Sequence, residues 1–289
     1  MKSNNPVLTR LPQAQQNAGY AQPQGGYPQQ SPYGQTQYGD TPNFGYAQQQ
    51  GYGQPAERPM TVDDIVSKTG ITLAVIVAFA VINFGIGMFN MPVAMGLTFV
   101  GAIGGFITVL VHSFGRKYGS AAVTLIYAAF EGLFVGGFSM LVTGLASDPA
   151  AGAFAGSLIF QAVLGTIGVF AGMLFVYKTG AIRVTPKFTR IITGCIIGVA
   201  VLALGNLLLF IFTGMSPLRD GGPIAIVFSL VCIVLGALSF LTDFDTADKL
   251  VRTGAPAKMA CGVALGLAVT LVWLYTEILR LLSYFSNDR

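Results

Sequence analysis

The stretch ITLAVIVAFAVINFGIGMF, residues 71–89, decides the fold. It carries no charge and alternates in no regular way. Crossing about 30 Å of hydrocarbon takes about 20 residues at 1.5 Å each, so the run is long enough to span a membrane. Six more apolar runs follow, at about 93–112, 119–145, 151–177, 191–213, 222–242 and 260–284. All are continuous and lack a period of two, which excludes a closed barrel. The whole chain of 289 residues is 53% hydrophobic and 10% charged, against roughly 25% charged in a soluble domain. The expected fold is an all-α membrane protein with seven transmembrane helices.

N-terminal to the first run lies TVDDIVSKTG, residues 61–70. Thr61 is a plausible N-cap, with Asp63 and Asp64 in the first turn, where the helix dipole favours acids. This segment is expected to lead straight into the membrane. Residues 1–58 are rich in Gln, Gly, Tyr and Pro, as in GGYPQQSPYGQTQYGD, with almost nothing to bury. They are expected to form a disordered tail, with residues 59–289 forming the seven-helix domain. Tyr20, Tyr27, Tyr33, Tyr38, Tyr46 and Tyr52 could make the tail a weak multivalent sticker for membrane-protein partners; the other reading is a solvated tail. No charged-then-apolar secretory signal opens the chain, so the first helix is expected to act as an uncleaved insertion signal.

Loop charges give orientation. Arg58 and Lys68, Arg116 and Lys117, then Lys178, Arg183, Lys187 and Arg190, and finally Lys249, Arg252 and Lys258 fall on one side of the membrane. Arg219 stands in a loop on the other. This asymmetry puts the N-terminus in the cytoplasm of a multi-pass protein of the plasma membrane. It also makes the net charge of +4 a topology signal rather than a nucleic-acid surface. Cys195, Cys232 and Cys261 sit in apolar runs at spacings that suit neither zinc nor disulfides. Small-xxx-small pairs recur at Gly101/Gly105, Gly132/Gly136, Gly168/Gly172, Gly194/Gly198 and Gly262/Gly266. They are read as close helix packing within one bundle, with dimerisation as the alternative.

Ionisable groups inside the spans are the first functional candidates. Glu131 lies in IYAAFEGLFVGG. Glu277 lies in LVWLYTEILRLL, with Arg280 three residues on and on the same helical face. Asp243, Asp245 and Asp248 close the sixth run. Asp245 can pair with Lys249 and Asp248 with Arg252, both at i,i+4. Asp243 and Asp245 are about 200° apart on a helix, so at most one faces the interior. His112, the single histidine, is expected at the interface, where its ordinary pKa of about 6.5 would suit a pH role. No nucleophile elbow, P-loop or metal-protease spacing occurs, and an enzyme is not expected.

SFLTDFDTADKL, residues 239–250, followed by the Gly-rich last run ending LVWLYTEILRLLSYF, resembles the Bax inhibitor-1 family; IYAAFEGLFVGGFS is similar to the matching segment of its bacterial branch. The resemblance covers residues 61–289. It implies a last helix wrapped by six others, and a pH-sensitive calcium leak in which two aspartates near the cytoplasmic mouth share protons. By the Phe-Asp-Thr motif the first falls at Asp245. The second matches Leu274, which cannot titrate, and Glu277 is one turn further on. The expected ion path is therefore Asp245, Glu277, Glu131 and Asp243, with Arg280 as a gating salt bridge. Calcium or another cation would be the permeant ion, the lipid bilayer the surroundings, and no cofactor is implied. A non-conducting scaffold or regulator of membrane proteases and stress responses is the competing reading. A proton-coupled transporter would show two matching halves with broken helices, and none is visible.

Overall fold

A computed structural model describes residues 58–115, 119–145 and 152–287. Seven helices follow one another: α1 Val62–Phe89, α2 Met91–Phe114, α3 Ala121–Val142, α4 Gly152–Thr179, α5 Pro186–Thr213, α6 Pro223–Arg252 and α7 Ala260–Asn287. All seven are long and apolar enough to cross a membrane. Residues 1–57 of the expected tail, and Arg116 and Lys117 of the second loop, lie outside the described residues.

Helix α1 starts nine residues before the apolar run, because its N-terminus is capped. Thr61 Oγ1 accepts from Asp64 N, and Asp64 Oδ2 accepts from Thr61 N, a reciprocal capping box. Arg58 adds a bidentate contact to the same carboxylate at 2.6 and 2.9 Å. Just ahead of the cap, Met60 N donates to Ala255 O at 2.7 Å and Ala257 N donates to Arg58 O at 3.0 Å. These bonds tie the start of α1 to the turn between α6 and α7. Arg58, assigned by composition to the tail, thus belongs to the folded part.

Helix α6 also outruns its apolar run, ending at Arg252 rather than 242. The ion pairs Lys249–Asp245 and Arg252–Asp248, both at i,i+4, support that extra length.

Helix α7 is the centre of the bundle. It packs against α1, α3, α4 and α6, while α2 leans on α1 and α3, and α5 on α6. Its neighbours bury Leu265, Ala268, Val272, Leu274 and Leu279. Close approach of α1, α2 and α3 rests on glycine. A Cβ on Gly132 would fall 2.5 Å from Ile76 O and 2.6 Å from Phe79 Cβ, and one on Gly101 would fall 2.6 Å from Phe130 O. The pairs Gly168/Gly172 and Gly194/Gly198 meet nothing within 4 Å. For them the expected role in packing this bundle is corrected: they lie on exposed faces of α4 and α5, and among the described residues no other helix touches them.

Candidate functional site

Two polar centres occupy the seam between α6 and α7. The first is built around Glu277, which is 2% exposed. The i,i+3 spacing brings Arg280 to it, and Arg280 Nη1 donates to Glu277 Oε1 at 2.8 Å. A second cation comes from the turn between α5 and α6. Gly214, at φ +72°, ends α5 in the left-handed conformation. Asn206 then holds the turn, accepting from Leu218 N at 3.1 Å and donating to Ser216 Oγ at 3.0 Å. Arg219 leaves this turn and donates to Glu277 Oε1 at 3.3 Å. Tyr284 of α7 donates to Arg219 O at 3.3 Å. Both guanidinium groups also lie over aromatic faces, Arg219 over Phe228 at 5.6 Å and Arg280 over Phe138 at 5.2 Å.

Both arginines use the same carboxylate oxygen. Among the described residues Glu277 Oε2 is buried with no hydrogen-bond partner, and so is Ser229 Oγ of α6. Ser229 faces this carboxylate, so a small rotation would join the two. The cluster therefore has spare hydrogen-bonding capacity directed across the α6–α7 seam.

The second centre lies nearer the basic end of the bundle, where α1 begins and α6 ends. Thr270 Oγ1 of α7 donates to Asp243 Oδ2 of α6 at 2.8 Å. Asp243 lines a cavity of about 220 Å³ together with His112, Thr246, Gly262 and Gly266. His112, expected at the interface, is instead 6% exposed and forms part of this wall. It lies in the last turn of α2, on the side that faces α6 and α7 across this cavity.

Asp243 and Asp245 of the sixth helix separate as the helical angle requires, and Asp243 is the one inside. Asp245, placed in the path by its Phe-Asp-Thr setting, pairs with Lys249 at the bundle's edge, close to Tyr177. Glu131 lies elsewhere, on α3 against α2. A Cβ on Gly105 would come within 3.1 Å of its Oε2, and Tyr127, one turn earlier, faces the same carboxylate. Among the described residues no hydrogen bond or ion pair joins Glu131, Asp245 and Glu277 to one another, and none of the three lines the Asp243 cavity. Leu274, 1% exposed, packs with Phe240 and Phe244 of α6. Among the described residues no three His, Cys, Asp or Glu side chains gather as a metal site.

A family model described as Bax inhibitor 1 like matches residues 5–287. The chain belongs to that family. The match is wider than the resemblance carried by the motifs, because it runs through the Gln/Gly/Tyr/Pro-rich segment almost to the first residue. No curated protein matches the chain. As a Bax inhibitor 1 like protein with seven apolar helices, it is a multi-pass membrane protein in contact with lipid.

Sequence reasoning missed Arg219, Thr270 and Asn83. By its position in the sequence Arg219 is only a loop charge. Its partner is far away in the chain, and only i,i+3 and i,i+4 pairs can be read from spacing. Asn83 is the one amide side chain inside the deciding apolar run, which is the available signal. It is 0% exposed and donates to Leu133 O at 2.7 Å and Thr98 Oγ1 at 3.0 Å, linking α1, α2 and α3.

Proposed function

We propose that this protein is a gated cation leak, with calcium as its permeant ion, and that the arrangement described above is its closed form. One observation carries the reading: a cavity lined by Asp243 lies on the same helix seam as the buried Glu277–Arg280 pair, to which the partly exposed Arg219 adds a second cation. Thr270 and Glu277 are seven residues apart on α7, about 10 Å along the axis. Asp243 would supply the hard oxygen that calcium prefers. The arginine cluster would seal the path beyond it. Charged groups held inside a membrane are expensive, and a closing contact is a use that accounts for them.

The same reading places the basic helix ends in the cytoplasm of a plasma membrane, by their excess of Lys and Arg. It treats the protein as a conduit rather than a catalyst. Proton sensitivity follows from the chemistry of the seal: a protonated Glu277 no longer balances Arg219 and Arg280, and the seam loosens. The alternative, a non-conducting regulator of other membrane proteins, draws its support from Asp245 and Asp248, whose charges are taken up by Lys249 and Arg252.

The test is calcium flux into liposomes holding the full chain, measured across a range of pH. Flux above that of protein-free liposomes, lowered by Asp243→Asn and raised by Arg219→Gln, is expected. Flux equal to that of protein-free liposomes at every pH would leave the regulator reading in its place.

A further inference from the structure

A larger cavity, about 960 Å³, opens between α1, α4, α6 and α7 at the basic end; it borders the Asp243 cavity at Leu267 and shares none of that cavity's polar residues. Its volume is at the upper end of the roughly 300–1,000 Å³ of small-molecule sites. Its body is apolar, formed by residues such as Leu73, Phe170, Leu174 and Leu271. Its rim is basic: Lys178, Arg183 and Arg252 stand there against one acid, Asp248. Asp248 is already paired with Arg252 at 2.7 Å. Among the described residues neither Lys178 nor Arg183 has an acidic partner. Lys178 ends α4, and Arg183 lies in the turn that follows, so the two cations share one edge of the opening.

Two further features point to an occupant. Thr69 lines the cavity, is 8% exposed, and its hydroxyl has no hydrogen-bond partner among the described residues. Gly70, beside it, also lines the cavity, and a Cβ there would meet nothing within 4 Å. The wall thus has room for a guest and a hydroxyl available to one.

We infer that this cavity binds an anionic phospholipid, with an acyl chain in the apolar body and the phosphate at Lys178 and Arg183. The chemistry selects this class over its neighbours. A free anion would leave the apolar body empty, and a neutral lipid would leave two cations unanswered. Basic pockets between membrane helices suit anionic headgroups for this reason. The site uses none of the acids proposed for conduction, so lipid binding stands whether or not the protein conducts.

The experiment is native mass spectrometry of the full chain in detergent, titrated with phosphatidylglycerol or with phosphatidylcholine of the same acyl chains. Each cation near an anionic lipid is worth a factor of about five, so phosphatidylglycerol should bind about 30-fold tighter as a one-to-one adduct. Lys178→Gln with Arg183→Gln should erase that preference. Lys187→Gln with Arg190→Gln, two exposed cations that do not line the cavity, should leave it intact. Gly70→Leu should remove the adduct with both lipids while the melting temperature is kept. Excess inorganic phosphate should fail to displace the lipid. Equal binding of the two lipids, a preference that survives the Lys178/Arg183 substitutions, or displacement by phosphate would each overturn the inference. The paired cation variants decide the matter even if Gly70→Leu does not fold, since Lys178 and Arg183 are both exposed.

Discussion

Arg219 precedes Glu277 by 58 residues, yet its guanidinium lies 3.3 Å from the Glu277 carboxylate, on the same oxygen that Arg280 holds at 2.8 Å. The three residues are not equivalent. The side chains of Glu277 and Arg280 are 3% and 13% exposed, whereas that of Arg219 is 29% exposed and can turn towards water. Glu277→Gln leaves a buried arginine without its counter-charge, a loss of about 3–5 kcal/mol. Arg219→Gln leaves the Glu277–Arg280 pair in place and should cost about 1 kcal/mol, as for a partly exposed pair. Denaturant unfolding of the two variants in micelles measures the difference. Equal losses would show that the cluster is not organised around Glu277.

Asp243 and Asp245 of α6 separate into an inner and an outer residue, and flux should separate them too. Asp243 holds Thr270 of the central helix and lines the cavity, while Asp245 faces Lys249. Asp243→Asn should lower calcium flux by about tenfold, equivalent to about 1.4 kcal/mol on the barrier. Asp245→Asn should stay within about twofold of the parent, since an exposed i,i+4 pair contributes only about 0.3–0.5 kcal/mol. Liposome flux for the two variants side by side is the measurement. The reverse order would return the path to Asp245.

What could be read from the sequence was the part set by length and by local spacing. The run at 71–89 identifies a span because hydrocarbon thickness fixes helix length. Thr61 and Asp64 show where α1 begins because a capping box is local. The pairs at Asp245, Asp248 and Glu277 follow from helical spacing. Partners across helices could not be read in this way. The angle between Asp243 and Asp245 says that one faces inward, but only the packing of α6 on α7 says which. The place of His112 on a cavity wall depends on residues of α6 and α7, which come more than a hundred residues later. The lipid-sized cavity is likewise a gap between four helices, and no one of them carries its signature.

The glycine pairs look alike in sequence and differ in surroundings, so alanine should sort them. At Gly132 the added carbon meets the backbone of α1, at Ile76 O, which cannot swing aside as a side chain would. Gly132→Ala should destabilise the protein by about 1–3 kcal/mol through overpacking. At Gly198 the same carbon meets nothing within 4 Å. Gly198→Ala should be neutral or stabilise by up to about 1 kcal/mol, as alanine is the better helix former. Melting of both variants in the same detergent tests the contrast. A large loss at Gly198 would reveal a neighbour on α5, such as a second copy of the chain.

Asn83 offers the sharpest test of a buried hydrogen bond. Three acceptors surround its amide nitrogen: Leu133 O at 2.7 Å, Thr98 Oγ1 at 3.0 Å and Ala94 O at 3.4 Å. Two of them are carbonyls, so the nitrogen must point this way; the flipped amide would set oxygen against oxygen. Asn83→Ala removes the donor and should cost about 1–3 kcal/mol, the penalty for leaving buried acceptors unmet. Asn83→Asp keeps the shape but replaces the donor with an acceptor among carbonyls, inside hydrocarbon. It should therefore cost more than alanine, although it is the more conservative change in volume. Unfolding of the two variants at neutral pH gives the order. If aspartate were the milder substitution, the junction of α1, α2 and α3 would accept the O–H of a protonated carboxyl in place of the amide donor.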